Sequence, residues 1–155
     1  MTLTYNSENG TATGKVGIVV SRYNQNITGK LLDAAIDTLQ KNGINSDNIL
    51  VAWAPGAWEL PLLCQDLVEK PDVSAVISLG CVIRGETTHD QHINTSVSQA
   101  LMQLSLRHSK PVAFGVLTVN TLEQAIHRSG GRVGNKGEEA ASAIIEMLKV
   151  RSQLR

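Results

Sequence analysis

The stretch Val73-Ser74-Ala75-Val76-Ile77-Ser78-Leu79-Gly80-Cys81-Val82-Ile83-Arg84-Gly85-Glu86-Thr87-Thr88-His89-Asp90 passes from one periodicity to another. Val73 to Leu79 is an apolar run of the kind that fills a buried strand. From about Asp90 to Arg107 the pattern is helical, with Ile93, Val97, Ala100, Leu101 and Leu104 recurring at three- and four-residue spacing. Gly80 to His89 lies between the two. A strand feeding a helix is the building unit of open parallel α/β sheets, which bind ligands beyond the carboxyl ends of their strands. The helix start offers free amides to an anion. The histidine can move a proton near neutral pH.

The same unit recurs on either side of this stretch. Upstream, Val16 to Val20 predicts a first strand. Leu31, Leu32, Ala35, Ile36 and Leu39 predict a helix that Gly43 stops. Ile49 to Trp53 predicts a second strand, and Pro55-Gly56 marks a turn. The next helix is expected from near Trp58, with Leu62, Leu63, Leu67 and Val68 on its apolar side and Pro61 tolerated in the first turn. Downstream, Pro111 opens a fourth strand, Val112 to Leu117. Two helical segments follow, roughly Leu122 to Ser129 and Glu138 to Val150, separated by Gly130-Gly131 and Gly134-Asn135-Lys136-Gly137. The alternation predicts a three-layer α/β/α sandwich, flavodoxin-like, on a four-stranded parallel sheet. It occupies 15–155, with 1–14 as a polar, flexible arm. The sheet leaves two edges, and edges are usually covered. The arm or a neighbouring subunit is a candidate to add a strand there.

Composition narrows the function. The chain has 155 residues, 42% of them hydrophobic, enough for one domain with a proper core. Lys+Arg and Asp+Glu both number 14, so no excess charge draws the chain to nucleic acid or an acidic membrane. Zero net charge also does little to hold copies apart. Cys64 and Cys81 make neither a disulfide framework nor a metal site, and no third ligand set joins His89 and His92, so no metal is expected. The first residues lack the apolar core of a signal peptide and nothing is long enough to span a bilayer, so the expected location is the cytoplasm.

The unusual residues cluster at the predicted strand ends: Arg22-Tyr23-Asn24, Pro55-Gly56-Ala57-Trp58-Glu59, the Gly80–His89 loop and Thr118-Val119-Asn120. In a parallel sheet these share one rim. Each also has an ordinary explanation. His89 could serve a helix start, and Gly85-Glu86-Thr87-Thr88 could be a capping turn. Tyr23 could cover the core. Glu59 could pair with a helix dipole, and Arg128, Arg132 and Lys136 with helix ends. Cys81 reads as a small buried residue. His92, His108 and His127 read as helix-face histidines.

Taken together, Val16-Gly17-Ile18-Val19-Val20-Ser21-Arg22-Tyr23-Asn24, Pro55-Gly56-Ala57-Trp58-Glu59-Leu60-Pro61, Gly80 to His89, Phe114-Gly115-Val116-Leu117-Thr118, Glu123-Gln124-Ala125 and Gly134-Asn135-Lys136-Gly137 resemble, in order and spacing, the 6,7-dimethyl-8-ribityllumazine synthase family. The resemblance runs from about Val16 to Val150. It implies condensation of 5-amino-6-ribitylaminouracil with 3,4-dihydroxy-2-butanone 4-phosphate in riboflavin biosynthesis, with release of phosphate and water and with no metal or organic cofactor. It implies that Tyr23 stacks on the pyrimidine and that Ala57, Trp58 and Glu59 meet the ribityl chain. Val82 and Ile83 would face the ring, Glu86 and Thr87 the phosphate, and His89 would transfer protons. Phe114, Arg128 and Lys136 would come from a neighbouring subunit, Arg128 reaching the phosphate. The resemblance also implies homopentamers. The short Gly130–Gly137 connection resembles members that build a sixty-subunit shell, which could enclose riboflavin synthase. The chain departs from the family in two places: the stacking aromatic is Tyr23 rather than Phe or Trp, and Asp90-Gln91-His92 stand where an aromatic usually follows the histidine. A non-catalytic flavin or lumazine carrier on the same fold is the alternative, and a generic flavodoxin-like module a third reading.

Overall fold

The computed structural model describes residues 1–155. Four strands, β1 (Lys15–Ser21), β2 (Ile49–Ala54), β3 (Val73–Ile83) and β4 (Val112–Val119), form one parallel sheet in the order β2-β1-β3-β4. Helices α1 (Gln25–Lys41) and α5 (Lys136–Leu154) cover one face, and α2 (Leu60–Val68) and α3 (His89–His108) the other. The predicted flavodoxin-like three-layer sandwich is therefore the observed architecture.

Alternation along each strand divides the core. Val16, Ile18 and Val20 of β1 and Ala75, Ile77, Leu79 and Cys81 of β3 point toward Leu31, Ala35, Leu39, Ala141 and Ile144. Val19 and Val76 point the other way, toward Leu60, Cys64, Val97 and Leu101. Both faces of the central strands are apolar because both are covered, as parallel sheets require. The first cluster holds 20 buried residues and the second 13, so the α1/α5 face carries more of the stabilising burial.

Several features differ from the expected ones. β3 continues past Leu79 to Ile83. Gly80 is not a turn but a crowded point inside the strand: a side chain there would meet Leu60 Cδ1 at 3.0 Å and Ser21 Oγ at 3.3 Å. Where a Gly-rich separator was expected, the chain makes a short antiparallel hairpin, β5 (Ser129–Gly131) and β6 (Gly134–Asn135), after the brief helix α4 (Leu122–His127). Gly130 and Gly134 adopt φ of 104° and 110°, conformations open to glycine. The arm adds no strand to this chain's sheet. It lies along α5 instead, where Thr11 N donates to Ser152 Oγ at 3.1 Å and Gln153 Nε2 donates to the Asn6 carbonyl.

Candidate functional site

The order β2-β1-β3-β4 places the topological switch point between β1 and β3. A crevice opens there beyond the carboxyl ends. The β1–α1 loop is held from two sides. Arg22 N donates to Ala54 O at 2.7 Å and Tyr23 N to Pro55 O at 3.0 Å, which binds the loop to the end of β2. Asn24 takes the left-handed conformation (φ 62°), which asparagine tolerates better than most residues. Its Nδ2 donates to Cys81 O at 3.0 Å, and its carbonyl accepts from Ile27 N and Thr28 N as α1 begins. Tyr23, 73% exposed, stands on this fixed loop with its ring free for a ligand.

After β2, a single 3-10 turn (Ala57–Glu59) leads into α2, which has Pro61 at its start. Trp58 projects outward. The Glu59 carboxylate folds back over Gly56, where a Cβ would lie 3.3 Å from Oε2.

After β3, Arg84 N donates to Val119 O at 2.8 Å, and the chain crosses an exposed turn into α3. The amides of Gly85, Glu86, Thr87 and Thr88 donate to no protein acceptor, leaving a row of N–H groups at a helix start. Thr87 Oγ1 accepts from His89 N at 3.3 Å. Thr88 is the N-cap of α3, but its side chain makes no capping bond. Its hydroxyl lies 3.4 Å from His92 Nε2.

These three loops enclose one cavity of about 900 Å³. Tyr23, Ala57, Trp58, Glu59, Val82, Ile83, Thr87 and His89 line it, joined by Gly85, Asp90, His92 and Ile93. Cys81 forms part of the floor. Burial pushes its thiol up to about 11, so it stays protonated near neutral pH and is a poor nucleophile. Cys64 is pushed to about 12 by burial, partly offset by the Ser78 hydroxyl beside it. Glu86 is exposed and lies outside the cavity wall.

Phe114, Arg128 and Lys136 do not reach that cavity. They line a second one, of about 300 Å³, between β4, α4, the hairpin and α5, with Gln124 and Asn135 beside them. Thr121 Oγ1 accepts from Gln124 N at 3.1 Å while Gln124 Oε1 accepts from Asn120 N at 2.7 Å, so reciprocal bonds fix the start of α4. Lys136 N donates to Arg128 O at 2.9 Å. The Asn135 carboxamide caps α5, accepting from Gly137 N at 2.8 Å and Glu138 N at 3.2 Å. The four predicted strand-end segments thus share a rim but divide between two cavities.

Residues 13–152 match the family described as 6,7-dimethyl-8-ribityllumazine synthase. The chain belongs to this family. A relative named 6,7-dimethyl-8-ribityllumazine synthase, from Rhodopirellula baltica (strain DSM 10527 / NCIMB 13988 / SH1), is 51% identical over 142 residues, covering 92% of each chain. A solved structure described as "Crystal structure of the RadB recombinase" overlaps 72% of this chain and 63% of its own, at 13% identity and a TM-score of 0.35, too loose a likeness to bear on fold or function. In this lumazine synthase family member, Ile93 and His92, read from the sequence as helix-face positions, and Asp90, named only within the departure from the family, join the cavity wall, and Asn24 of the strand-end cluster pins the β1–α1 loop. Asn24 had a local signal, a polar residue at a strand-to-helix turn where a left-handed conformation suits asparagine. His92 had only its spacing from His89.

Proposed function

We propose that the His89 cavity, completed by the Arg128 cavity of a neighbouring subunit, is the active site for 6,7-dimethyl-8-ribityllumazine formation. Family membership makes the chain a transferase of riboflavin biosynthesis. The reaction joins 5-amino-6-ribitylaminouracil to 3,4-dihydroxy-2-butanone 4-phosphate. The amine attacks the ketone, water leaves to give an imine, phosphate is eliminated and the ring closes with loss of water. These steps need positioning, an anion site and proton transfers rather than a covalent nucleophile, which agrees with the buried, protonated Cys81.

The observation that carries this reading is the joint lining of one cavity by Tyr23, Trp58-Glu59, Val82-Ile83, Thr87 and His89. Its volume lies within the usual range for small-molecule sites. Tyr23 stacks on the pyrimidine. The ribityl chain runs along Ala57 and Trp58, with Glu59 accepting from its hydroxyls. The strand end at Val82 and Ile83 faces the ring. The unpaired amides through Glu86 and Thr87 receive the phosphate, and His89 moves protons. Glu86 contributes its backbone rather than its carboxylate, which fits an exposed side chain outside the wall.

No lysine or arginine lines this cavity, although one substrate is a phosphate ester. The missing cations, Arg128 and Lys136, stand with Phe114 at the other cavity. A ring of identical subunits joined head to tail brings the two cavities together at every interface. We place the chain in pentamers in the cytoplasm, with the short 130–137 connection permitting a sixty-subunit shell that could hold riboflavin synthase. A bare stacking wall would also suit a carrier, but the family assignment does not favour it. The test mixes both substrates with purified protein and follows lumazine absorbance and free phosphate. Equal amounts of the two products support the reading; a yellow protein that binds lumazine without turnover contradicts it.

A further inference from the structure

We infer that Asp90 is a substrate-binding residue of the His89 cavity, accepting hydrogen bonds from the ribityl chain and so helping to select the polyhydroxylated substrate; the inference rests on the reaction proposed above. Asp90 heads the inward stripe of α3. Ile93, Val97, Leu101 and Leu104 follow it at three- and four-residue spacing and pack with Leu60 and Cys64 of α2. The stripe turns Asp90 inward, and the residue lines the cavity wall. Here α3 packs against the 3-10 turn that carries Trp58 and Glu59.

The carboxylate meets no donor within the chain. Four buried side-chain oxygens receive no hydrogen bond: Ser21 Oγ, Ser78 Oγ, Asn94 Oδ1 and Asp90 Oδ1. Of the four, only Asp90 belongs to a residue on the cavity wall. No lysine or arginine lines that wall, and Asp90 joins none of the ion pairs of the chain. A buried oxygen left unmet is costly, more so on a charged group. The start of α3 favours a carboxylate electrostatically, but it supplies no donor. The donors come with the substrate. A ribityl chain carries a row of hydroxyls and no charge, so it satisfies carboxylates without a cation. Glu59 folds back over Gly56 and serves the chain from the β2 side. Asp90 meets it from α3. The terminal torsion of an aspartate is broad, so a small turn of the side chain brings Oδ1 to an entering hydroxyl.

The test compares the wild type with Asp90→Asn and Asp90→Ala. Steady-state kinetics give KM for each substrate. Competition gives the inhibition constants of 6-ribitylaminouracil and 6-methylaminouracil, which lack the reacting amine and differ from each other only in the chain. For Asp90→Ala the expected KM for the pyrimidine substrate rises about tenfold, as for loss of a hydrogen bond to a charged group, while kcat and KM for the phosphate substrate stay within about twofold. The ribityl competitor weakens by the same factor, and the methyl competitor inhibits both proteins alike. Asp90→Asn, which keeps one acceptor oxygen and loses the charge, falls between the two. Equal weakening of both competitors overturns the inference, because the carboxylate would then be ordering the cavity or pairing with a neighbour's cation. An unchanged KM for the pyrimidine substrate overturns it too, as does a rise confined to the phosphate substrate. A wild type that makes no lumazine sinks the proposed function itself, whereas wild-type turnover with normal binding of both competitors by Asp90→Ala sinks this inference only.

Discussion

The two cavities, one enclosed by strand-to-helix loops and the other set between β4, α4, the hairpin and α5, carry opposite chemistry. The larger, about 900 Å³, has two imidazoles, two carboxylates and an apolar wall, but no fixed cation. The smaller, about 300 Å³, has Arg128 and Lys136 against one carboxylate, and no histidine. A phosphate ester in the first alone would be held by amides and exposed to Glu59 and Asp90. In the second alone it would be well held and would meet no acid or base. On the proposed reaction, proton transfer and charge compensation fall to different cavities of one chain, and catalysis needs both. The separation itself argues that the working unit is larger than one chain.

Substitutions can test that division of labour. The largest effect is expected in the first cavity. His89→Ala lowers kcat by about 10²–10⁴-fold, the usual range for a positioned general acid or base, while KM for the phosphate substrate stays near the wild-type value. Steady-state kinetics check this, and unchanged turnover removes His89 from the mechanism. Next comes the second cavity. Arg128→Ala raises KM for the phosphate substrate by about tenfold or more, in keeping with loss of a charge-assisted contact of about 1.5–3 kcal/mol. KM for the pyrimidine changes little. Equal effects on both substrates would erase the distinction between the cavities. The smallest effect falls on the scaffold of the second cavity. Thr121→Ala removes the cap of α4 and costs about 1 kcal/mol in denaturant unfolding, with a modest rise in KM for the phosphate substrate as Arg128 loses its fixed support. A larger effect on pyrimidine binding would show that α4 serves the wrong cavity.

The sheet was legible in the sequence because buried parallel strands leave apolar runs, and those at Val16, Ile49, Val73 and Val112 have no other easy reading. The end of β3 was not. Gly80 carries the residue type of a turn but serves close packing against Leu60 and Ser21, a three-dimensional cause with no local signature. The β5–β6 hairpin was hidden for the opposite reason: its strands are too short and glycine-rich to show any period. The arm's course along α5 depends on bonds spanning most of the chain, such as Thr11 to Ser152. For the site, strand-end placement of Tyr23, Trp58-Glu59 and His89 was enough to predict one rim. It could not say that Phe114, Arg128 and Lys136 would open on another cavity, because that follows from β4 lying at the edge beside β3 with the hairpin and α5 packed beyond it. The sequence read His89 as the candidate acid or base and His92 as a helix-face histidine. Only the fold shows both on one wall.

The composite site is tested most directly by subunit mixing. His89→Ala and Arg128→Ala proteins are unfolded together in equal amounts, refolded into mixed assemblies and assayed for lumazine formation with the phosphate substrate well below its wild-type KM, where both parents are slow. In a head-to-tail ring, about a quarter of the interfaces pair an intact His89 with a neighbour's intact Arg128. Activity should therefore recover to about a quarter of the wild-type value, well above either parent alone. Mixed assemblies no more active than the average of the two parents would contradict a site shared between subunits.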